Sequence, residues 1–318
     1  MAHELDCSTG RYGIAYVGQK PWHGNGQELT ENAPLEVWTK EAGLDWEAIE
    51  SPVFAKFGND EILLPQKALI RSDTKFHLST VSPDYKVVQP KDVMEFYRDL
   101  IEHQGYRMET AGSLKNGKII WGLARTPNHI DMGEDVVNGY LLLATSFDRS
   151  MATRAMVTGV RVVCNNTLMA SFSGSGKDWI SITHGAVFDK ERVQKKLGVY
   201  DDSWKIYSDN LYKLANKKIT DNEAKDFFVK LMVKDETAVA MEHLYKPNIM
   251  NIYQMYSGKG MGSKLDSAAN TLWGAVNAIT QFVDHQMGNQ KNRLASAWFG
   301  VGSKLKQEAF ETALKMAA

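Results

Sequence analysis

The middle of the chain combines positive charge with hydrogen-bond donors, which are the side-chain types that hold phosphate groups. From Tyr140 to Lys177, four basic residues accompany a single acid, Asp148. Arginines on neighbouring strands would bind backbone phosphates through charge-assisted hydrogen bonds, and the N–H groups at a following helix start would add to them. In the alternative interpretation, Arg161 pairs with a carboxylate and the polar run merely caps that helix. This first cluster consists of Arg149, Arg154, Arg161, Asn165, Asn166, Thr167 and Lys177.

A second basic cluster lies between residues 245 and 264, a stretch without an acidic residue. Its glycines permit a phosphate backbone to approach closely, and its tyrosines would stack on unpaired bases. Alternatively, the segment is a loop between helices whose tyrosines pack inward. The cluster contains Lys246, Tyr253, Tyr256, Lys259 and Lys264, of which we select Tyr256, Lys259 and Lys264 as binding residues.

A third basic cluster follows, with no acid from Gln286 through Gln307. The aromatic pair Trp298 and Phe299 lies inside it, so the segment could form part of a groove that combines charge with base stacking. Alternatively, the aromatic pair packs into the core and the lysines are solvated. The cluster contains Lys291, Arg293, Lys304 and Lys306, of which we select Lys291 and Arg293.

Residue types that support catalysis or metal binding do not occur at the required spacings. Residues 173–178, SGSGKD, lack the upstream Gly and the Ser or Thr after Lys that a P-loop needs. The histidines form no HxH or HExxH pair, and Asp284-His285 is interpreted as a helix-surface or helix-end interaction. Cys164 follows two valines, as a small buried hydrophobe would. We therefore predict no catalytic residue, metal or cofactor; an enzyme with a site assembled from distant residues remains a third interpretation.

Length and composition are those of an ordinary globular protein. The chain has 318 residues, of which 43% are hydrophobic and 24% charged, and its net charge is −1. These values argue against a disordered chain and against a membrane protein. They also argue against a DNA-binding protein that is basic over its whole length. The N-terminus lacks the pattern of a secretory signal, and Cys7 and Cys164 show no disulfide or CxxC pattern. The cytoplasm of a bacterial host is the expected location, without membrane association.

Apolar periodicity predicts an α+β fold, in which a mainly antiparallel N-terminal sheet with packed helices precedes a helical C-terminal region. The boundary is placed at residue 186, so that 1–186 is the α+β domain and 187–318 the helical region, either separate or packed on the first as one unit. Strands are predicted at 61–72, 76–82, 85–88, 106–110, 118–125, 138–146, 152–164 and 179–184. Helices are predicted at 34–42, 91–104, 165–170, 191–197, 203–215, 221–233, 249–256, 267–286, 293–299 and 304–316.

Several stretches resemble a family carried by bacteriophages and plasmids. They are AYVGQKPWHGNG (15–26), YKVVQP (85–90), ETAGSLKNGKIIWGLAR (109–125), LLLATSFDRSMATRAMVTGVRVVCNNTL (141–168), NAITQFVDHQMG (277–288) and NRLASAWFGVGSKLKQEA (292–309). In this order they are similar to the phage/plasmid-like family that contains the domain of unknown function number 932. This chain departs from the family pattern at Arg149, near which a Gly is expected, and at Asn165, near which a Gln is expected. The resemblance implies a gene that travels with replication and recombination functions.

Together these observations predict a non-catalytic accessory protein of DNA replication or recombination that binds single-stranded DNA. A homo-oligomer would join local basic patches into a longer groove, and host or phage replication proteins are further expected partners. The second hypothesis is a protein-binding regulatory or host-interaction module, for which a net charge near zero is no obstacle. A large exposed apolar patch would favour that second hypothesis.

Overall fold

The computed structural model describes residues 4–18, 24–161, 166–169, 179–197, 200–235, 237 and 240–318. Its contacts divide the chain into two compact units, each built from several segments. Unit 1 comprises Met1–Pro127, Tyr140–Met156 and Trp179–Leu197, and unit 2 comprises Asn128–Gly139, Val157–Asp178 and Gly198–Ala318. The chain thus passes between the units several times, whereas the sequence analysis placed a single boundary at residue 186.

Two sheets contain the strands of the described residues. The strands are β1 (Ile14–Val17), β2 (Gln27–Leu29), β3 (Ala48–Phe57), β4 (Asp60–Arg71), β5 (His77–Val81), β6 (Arg107–Leu114), β7 (Ile119–Asp131), β8 (Val136–Ser146), β9 (Thr153–Arg161), β10 (Asn166–Met169) and β11 (Trp179–Ile182). The larger sheet has the order β10-β9-β8-β7-β6-β1-β2, with β11 paired to β9, and the smaller has the order β3-β4-β5. The β1–β2 pair is parallel and β1–β6 antiparallel, so the larger sheet is mixed.

Helices dominate the second half of the chain, which confirms the predicted α+β class. They are α1 (Leu35–Glu41), α2 (Pro90–Glu95), α3 (Arg98–Gln104), α4 (Lys190–Leu197), α5 (Tyr200–Asn216), α6 (Asp221–Val233), α7 (Ala240–His243), α8 (Pro247–Gln254), α9 (Leu272–His285), α10 (Arg293–Phe299) and α11 (Val301–Ala317). Among the described residues, no helix combines the length and apolar character needed to cross a membrane.

The β6–β7 hairpin follows directly from its local sequence. Lys115, Asn116 and Gly117 have φ of 53°, 58° and 89°, a left-handed conformation that Asn and Gly tolerate better than other residues. Behind this hairpin, the fully buried hydroxyl of Tyr97 donates to the carbonyl of Gly122 and accepts from the N–H of Leu143 at 2.8 Å. One phenol group therefore fastens the segment between α2 and α3 to both β7 and β8.

The smaller sheet belongs to unit 1 and contains a strand that the sequence analysis did not predict. Pro52 interrupts β3, and a proline argues against a central strand because it has no N–H to donate. β3 is an edge strand, where this loss is tolerated. Gly58 and Asn59 then connect β3 to β4 as a two-residue turn with Gly58 at φ 61°, which is typical of a type II′ hairpin.

Unit 2 is built around α9, which is buried along almost its whole length. The helix begins where Thr271 Oγ1 accepts a hydrogen bond from the N–H of Gly274 at 3.0 Å. Helices α5, α8, α10 and α11 all pack against it. This arrangement makes α9 the reference for locating the basic residues of unit 2.

Three predictions of secondary structure were wrong. Residues 166–169 form β10, which pairs with β9, so strand pairing outweighs the helix-capping preference of the Asn-Asn-Thr run. The helix expected at 91–104 is divided into α2 and α3 around Phe96 and Tyr97. Residues 85–88 form no strand.

Candidate functional site

Arg149 and Arg154 of the first cluster lie in unit 1, near the turn between β8 and β9. Arg149 is exposed and has φ 62°, a backbone conformation that favours glycine. This conformation gives a physical reason for the glycine expected near this position from the sequence. Arg154 is half-buried on β9, and this burial lowers the pKa of its guanidinium. Arg149 is thus more accessible to a ligand than Arg154.

The other described members of the first cluster do not form a helix start. Arg161 ends β9 directly opposite Asn166, and Thr167 is the next residue of β10. The predicted phosphate site at a helix N-terminus is therefore wrong, because these backbones pair within a sheet. Asn165 and Lys177 lie outside the described residues.

Tyr256, selected from the second cluster, and its neighbour Tyr253 both have structural contacts. Tyr256 is only 6% exposed and packs edge-to-face on Phe228, with ring centroids 5.6 Å apart. Burial raises the pKa of its hydroxyl to about 12. The Tyr253 hydroxyl donates to Asp221, and the ammonium of Lys225 lies 5.2 Å from its ring centroid. The prediction that Tyr256 stacks on bases is therefore wrong, because its ring is buried against α6.

Lys259 and Lys264 are exposed in the segment that follows α8. Gly258, with φ 127°, precedes Lys259, and a Cβ placed on it would lie 3.6 Å from Cε of Lys264. Lys259 Nζ donates to Oε1 of Gln254 at 2.9 Å. This acceptor is neutral, so the hydrogen bond leaves the charge of Lys259 uncompensated.

In the third cluster, Arg293 closes the C-terminal end of α9. Its guanidinium donates to the carbonyls of His285 at 2.6 Å and Met287 at 3.1 Å. These carbonyls have no partner within the helix, and a cation at a helix C-terminus also complements the helix dipole. Arg293 therefore caps α9, and its selection as a ligand-binding residue stays a prediction. Lys291, in the preceding loop, is exposed.

Lys306 is also removed from the binding surface by its position. It is 2% exposed, and its ammonium lies 2.8 Å from Oδ1 of Asp284. Asp284, interpreted from sequence as a helix-surface or helix-end residue, is thus part of a buried ion pair between α9 and α11. Lys304 is exposed, whereas Trp298 and Phe299 are half-buried.

Two contacts connect the second cluster to the C-terminal half of α9, from which the third cluster continues. The side-chain amide of Asn251, on α8, donates to Oε1 of Gln286 just beyond the end of α9. Further along the chain, the N–H of Met261 donates to Oε1 of Gln281 at 3.0 Å. The order of these contacts means that α8 runs antiparallel to α9. Gln281 and Gln286 are about 7.5 Å apart along the helix axis.

This geometry defines a candidate binding surface, which we call the basic end. Lys246 immediately precedes α8, which contacts Gln286 just beyond α9. Residues 258–264 include Met261, which contacts Gln281, and the α9–α10 loop continues from α9. All the lysines of these three segments are exposed. The basic end consists of Lys246, Lys259, Lys264 and Lys291.

Tyr245 is the aromatic residue at the basic end that the sequence analysis did not select. It is 75% exposed and adjoins Lys246. Its position supplied a signal, because Pro247 is the first residue of α8 and Tyr245 therefore precedes the helical stripe that buries Tyr256. An aromatic side chain outside that stripe has no helix face to pack on.

Other parts of the described chain offer less specific chemistry. They contain no group of three or more His, Cys, Asp or Glu residues placed to hold a metal ion. A groove of about 660 Å³ in unit 1 has lysines and carboxylates in its lining, so its charges are mixed. These charged residues are Lys67, Lys86, Lys190, Glu50, Asp92 and Glu95.

Comparison with known proteins gives one match. The sequence profile of the family described as Domain of unknown function (DUF932) matches residues 77–298. This range covers more than two-thirds of the chain and includes every residue of the basic end, but it begins after β3 and β4. No curated protein and no solved structure matches the chain.

Proposed function

The chain belongs to the DUF932 family, and we propose that it is a non-catalytic accessory protein of phage or plasmid DNA replication or recombination that binds single-stranded DNA at the basic end. The observation that carries this proposal is the exposure of lysines on three segments that adjoin the C-terminal half of α9 through Asn251, Met261 and the α9–α10 loop. The net charge of the chain is −1, so the whole chain creates no long-range field that attracts phosphates. The local concentration of lysines at the basic end would attract them instead.

Most charged residues around the basic end are basic. From Lys246 to Lys306 the sequence contains seven basic and two acidic residues. One of those acids, Asp284, is buried against Lys306, which leaves Asp266 as the exposed acid of the segment. Among the described residues, none of the four lysines of the basic end forms an ion pair. Each can therefore contact a phosphate without first breaking a salt bridge.

Tyr245 favours a single strand over a duplex as the ligand. Unpaired bases present their faces to aromatic side chains, and each such stack contributes about 1–3 kcal/mol. In a duplex these faces are already stacked on one another. An exposed ring beside a lysine therefore supports a single-stranded ligand.

We expect the salt dependence of binding to report the lysine contacts. Fluorescence anisotropy of a labelled single-stranded oligonucleotide should show binding that weakens as salt rises. In the triple variant Lys259→Gln, Lys264→Gln, Lys291→Gln, the slope of log K against log salt should fall by about 2, because each phosphate contact contributes about 0.7. A duplex of equal length, measured in parallel, should bind more weakly.

The matched control changes three exposed lysines of the same unit: Lys205→Gln, Lys213→Gln, Lys217→Gln. The first two are on α5, and the carbonyl of Lys217 accepts from the N–H of Leu272, the first residue of α9. The net charge changes equally in both triple variants, so the control should keep the slope of the unmodified protein. Equal slopes in the two variants, or no oligonucleotide binding even at low salt, would reject the proposal.

Tyr245→Ala should weaken binding of the single strand by about 1–3 kcal/mol, or roughly 5- to 150-fold, because it removes one base stack. Tyr212→Ala is the control, since Tyr212 is 40% exposed and its hydroxyl donates to the carbonyl of Asp131, away from the basic end. Both variants should be compared at one salt concentration. An equal effect on single-stranded and duplex DNA would contradict a stacking role for Tyr245.

A protein-binding regulatory or host-interaction module is the second candidate function. It is favoured by a cluster of exposed apolar side chains on β3 and β4. Phe54, Phe57, Ile62 and Leu63 are each at least half exposed, and soluble monomers rarely expose such groups together without a binding role. Failure of oligonucleotide binding would make this the leading hypothesis.

A further inference from the structure

Strands β3 and β4 extend beyond the rest of their sheet. β5 pairs only with the segment from Lys67 to Ile70, so residues 53–64 form a two-stranded hairpin arm. Phe54 faces Leu63 across it, while Phe57 and Ile62 lie on the opposite face because side chains alternate along a strand. Both faces of the arm are therefore apolar. A two-stranded hairpin of this kind is at best marginally stable in water unless something covers it.

The outer edge of β3 has backbone groups available for another strand. At the base of the strand, the backbone N–H of Ala48 donates to Gln89 Oε1 at 2.9 Å and its carbonyl accepts from Gln89 Nε2 at 3.1 Å. Ala48 therefore directs its backbone away from β4, and by alternation so do Glu50, Phe54 and Lys56. In the described residues, no strand pairs with this edge. Gln89 thus covers only the first position.

The sequence of β3 is complementary to itself in antiparallel orientation. With Val53 on a two-fold axis, Glu50 lies opposite Lys56 of the other strand, and Ile49 opposite Phe57. The first pair joins opposite charges, and the second joins side chains that are 45% and 76% exposed in the single chain. Glu50 also contacts Lys67 at 2.7 Å, so the carboxylate would lie between two lysines. Opposite charges and apolar pairs are the cross-strand contacts that stabilise sheets.

We propose that the protein forms a two-fold symmetric dimer in which β3 pairs antiparallel with β3 of a second copy, with Val53 on the axis. The two smaller sheets then become one continuous six-stranded sheet. About six backbone hydrogen bonds join the strands, since Pro52 accepts but cannot donate. A two-fold contact uses the same surface on both copies and closes on itself, so the assembly ends at the dimer. This dimer is independent of the proposed DNA-binding function.

Cysteine cross-linking tests the register. In a background with Cys7→Ser and Cys164→Ser, Val53→Cys should form a disulfide-linked dimer on mild oxidation. The two Cα atoms on the axis lie about 4.5 Å apart at a pair without backbone hydrogen bonds, within the range of a disulfide. Ser51→Cys is the control, because its two copies lie about 13 Å apart. Equal cross-linking at both positions, or none at Val53→Cys, would overturn the proposed register.

Exchanging the charges of Glu50 and Lys56 tests whether the partner strand is β3 of a second copy. The unmodified chain should show a dimer mass by light scattering, and Lys56→Glu alone or Glu50→Lys alone should weaken the dimer about tenfold or more by placing like charges opposite each other. Combining the two substitutions should restore it. Lys86→Glu, a change of an exposed lysine outside β3, should leave the mass unchanged. A monomer at every concentration, or a double variant as dissociated as the single ones, would refute self-pairing through β3.

Discussion

Replacing Arg71 by methionine is expected to lower the free energy of unfolding by about 3–5 kcal/mol. Arg71 is fully buried, with its guanidinium bonded to Asp6 on one side and to Asp73 at 2.7 Å on the other. Its Cζ also lies 4.5 Å from the ring centroid of Trp46. Methionine fills similar space but leaves the Asp6 carboxylate buried without its cation. This loss of a counter-charge is the main destabilising effect.

The Arg71→Met substitution should also change the pH dependence of stability. Burial by itself would raise the pKa of Asp6, but hydrogen bonds from Ser8 and Arg71 outweigh burial and hold this pKa below its ordinary value. A lowered carboxyl pKa stabilises the fold above the unfolded value of about 3.9, and that contribution is lost as the pH falls through the folded value. Without Arg71 only the hydrogen bonds from Ser8 still oppose burial, so the pKa of Asp6 should rise and this contribution should shrink. The stability difference between the two proteins should thus be largest at neutral pH and narrow below about pH 4.

Urea unfolding of Arg71→Met, with Arg98→Met as its control, measures the effect. Arg98 contacts three carboxylates, those of Glu36, Glu95 and Glu102, but its side chain is 34% exposed. Exposed ion pairs contribute less than about 1 kcal/mol, so the control should lose little stability despite having more partners. Equal losses in the two variants would contradict the argument that burial decides the cost.

Sequence patterns predicted those elements whose signals are local. α6 was predicted at its observed bounds from apolar residues at helical spacing, and the structure shows that Thr220 and Glu223 form a capping box at its start. Strands were likewise predicted at 106–110 and 118–125, and Asn116 and Gly117 form the turn between β6 and β7. The helix predicted at 165–170 was wrong because pairing with β9, which is not a local signal, determines the conformation of β10. β3 was missed for a related reason, since only its edge position in the sheet makes Pro52 acceptable.

The candidate site could be predicted only in part, because charge patterns do not determine exposure. Lys304 and Lys306 are two residues apart on α11 and therefore about 200° apart around the helix. Lys306 lies in phase with Gly302, Ala309 and Ala313, which are buried. This spacing was a usable sequence signal for the burial of Lys306. No such signal indicated that Arg293 would bond to the carbonyls at the end of α9, since that contact depends on how the α9–α10 loop turns back.

The second large effect concerns the buried pair of Lys306 and Asp284. Their side chains are 1% and 9% exposed, and the two charged atoms lie 2.8 Å apart. Lys306→Met is expected to destabilise the protein by about 3–5 kcal/mol, because it removes the buried ammonium that the Asp284 carboxylate contacts inside unit 2. Replacing both partners in Lys306→Met, Asp284→Leu should recover most of this loss, since an apolar pair of similar volume has no charge to desolvate.

Thermal or urea unfolding of the single and double variants measures these changes in stability. Lys304→Met is the control from the same helix. Lys304 is exposed, so its replacement should change stability by no more than about 0.5 kcal/mol. The folded Lys306→Met, Asp284→Leu variant should also bind a single-stranded oligonucleotide with an unchanged salt slope, because a buried ammonium contacts no phosphate. A reduced slope would mean that Lys306 reaches the ligand. A double variant as unstable as Lys306→Met would mean that the Asp284 carboxylate is not what destabilises the single variant.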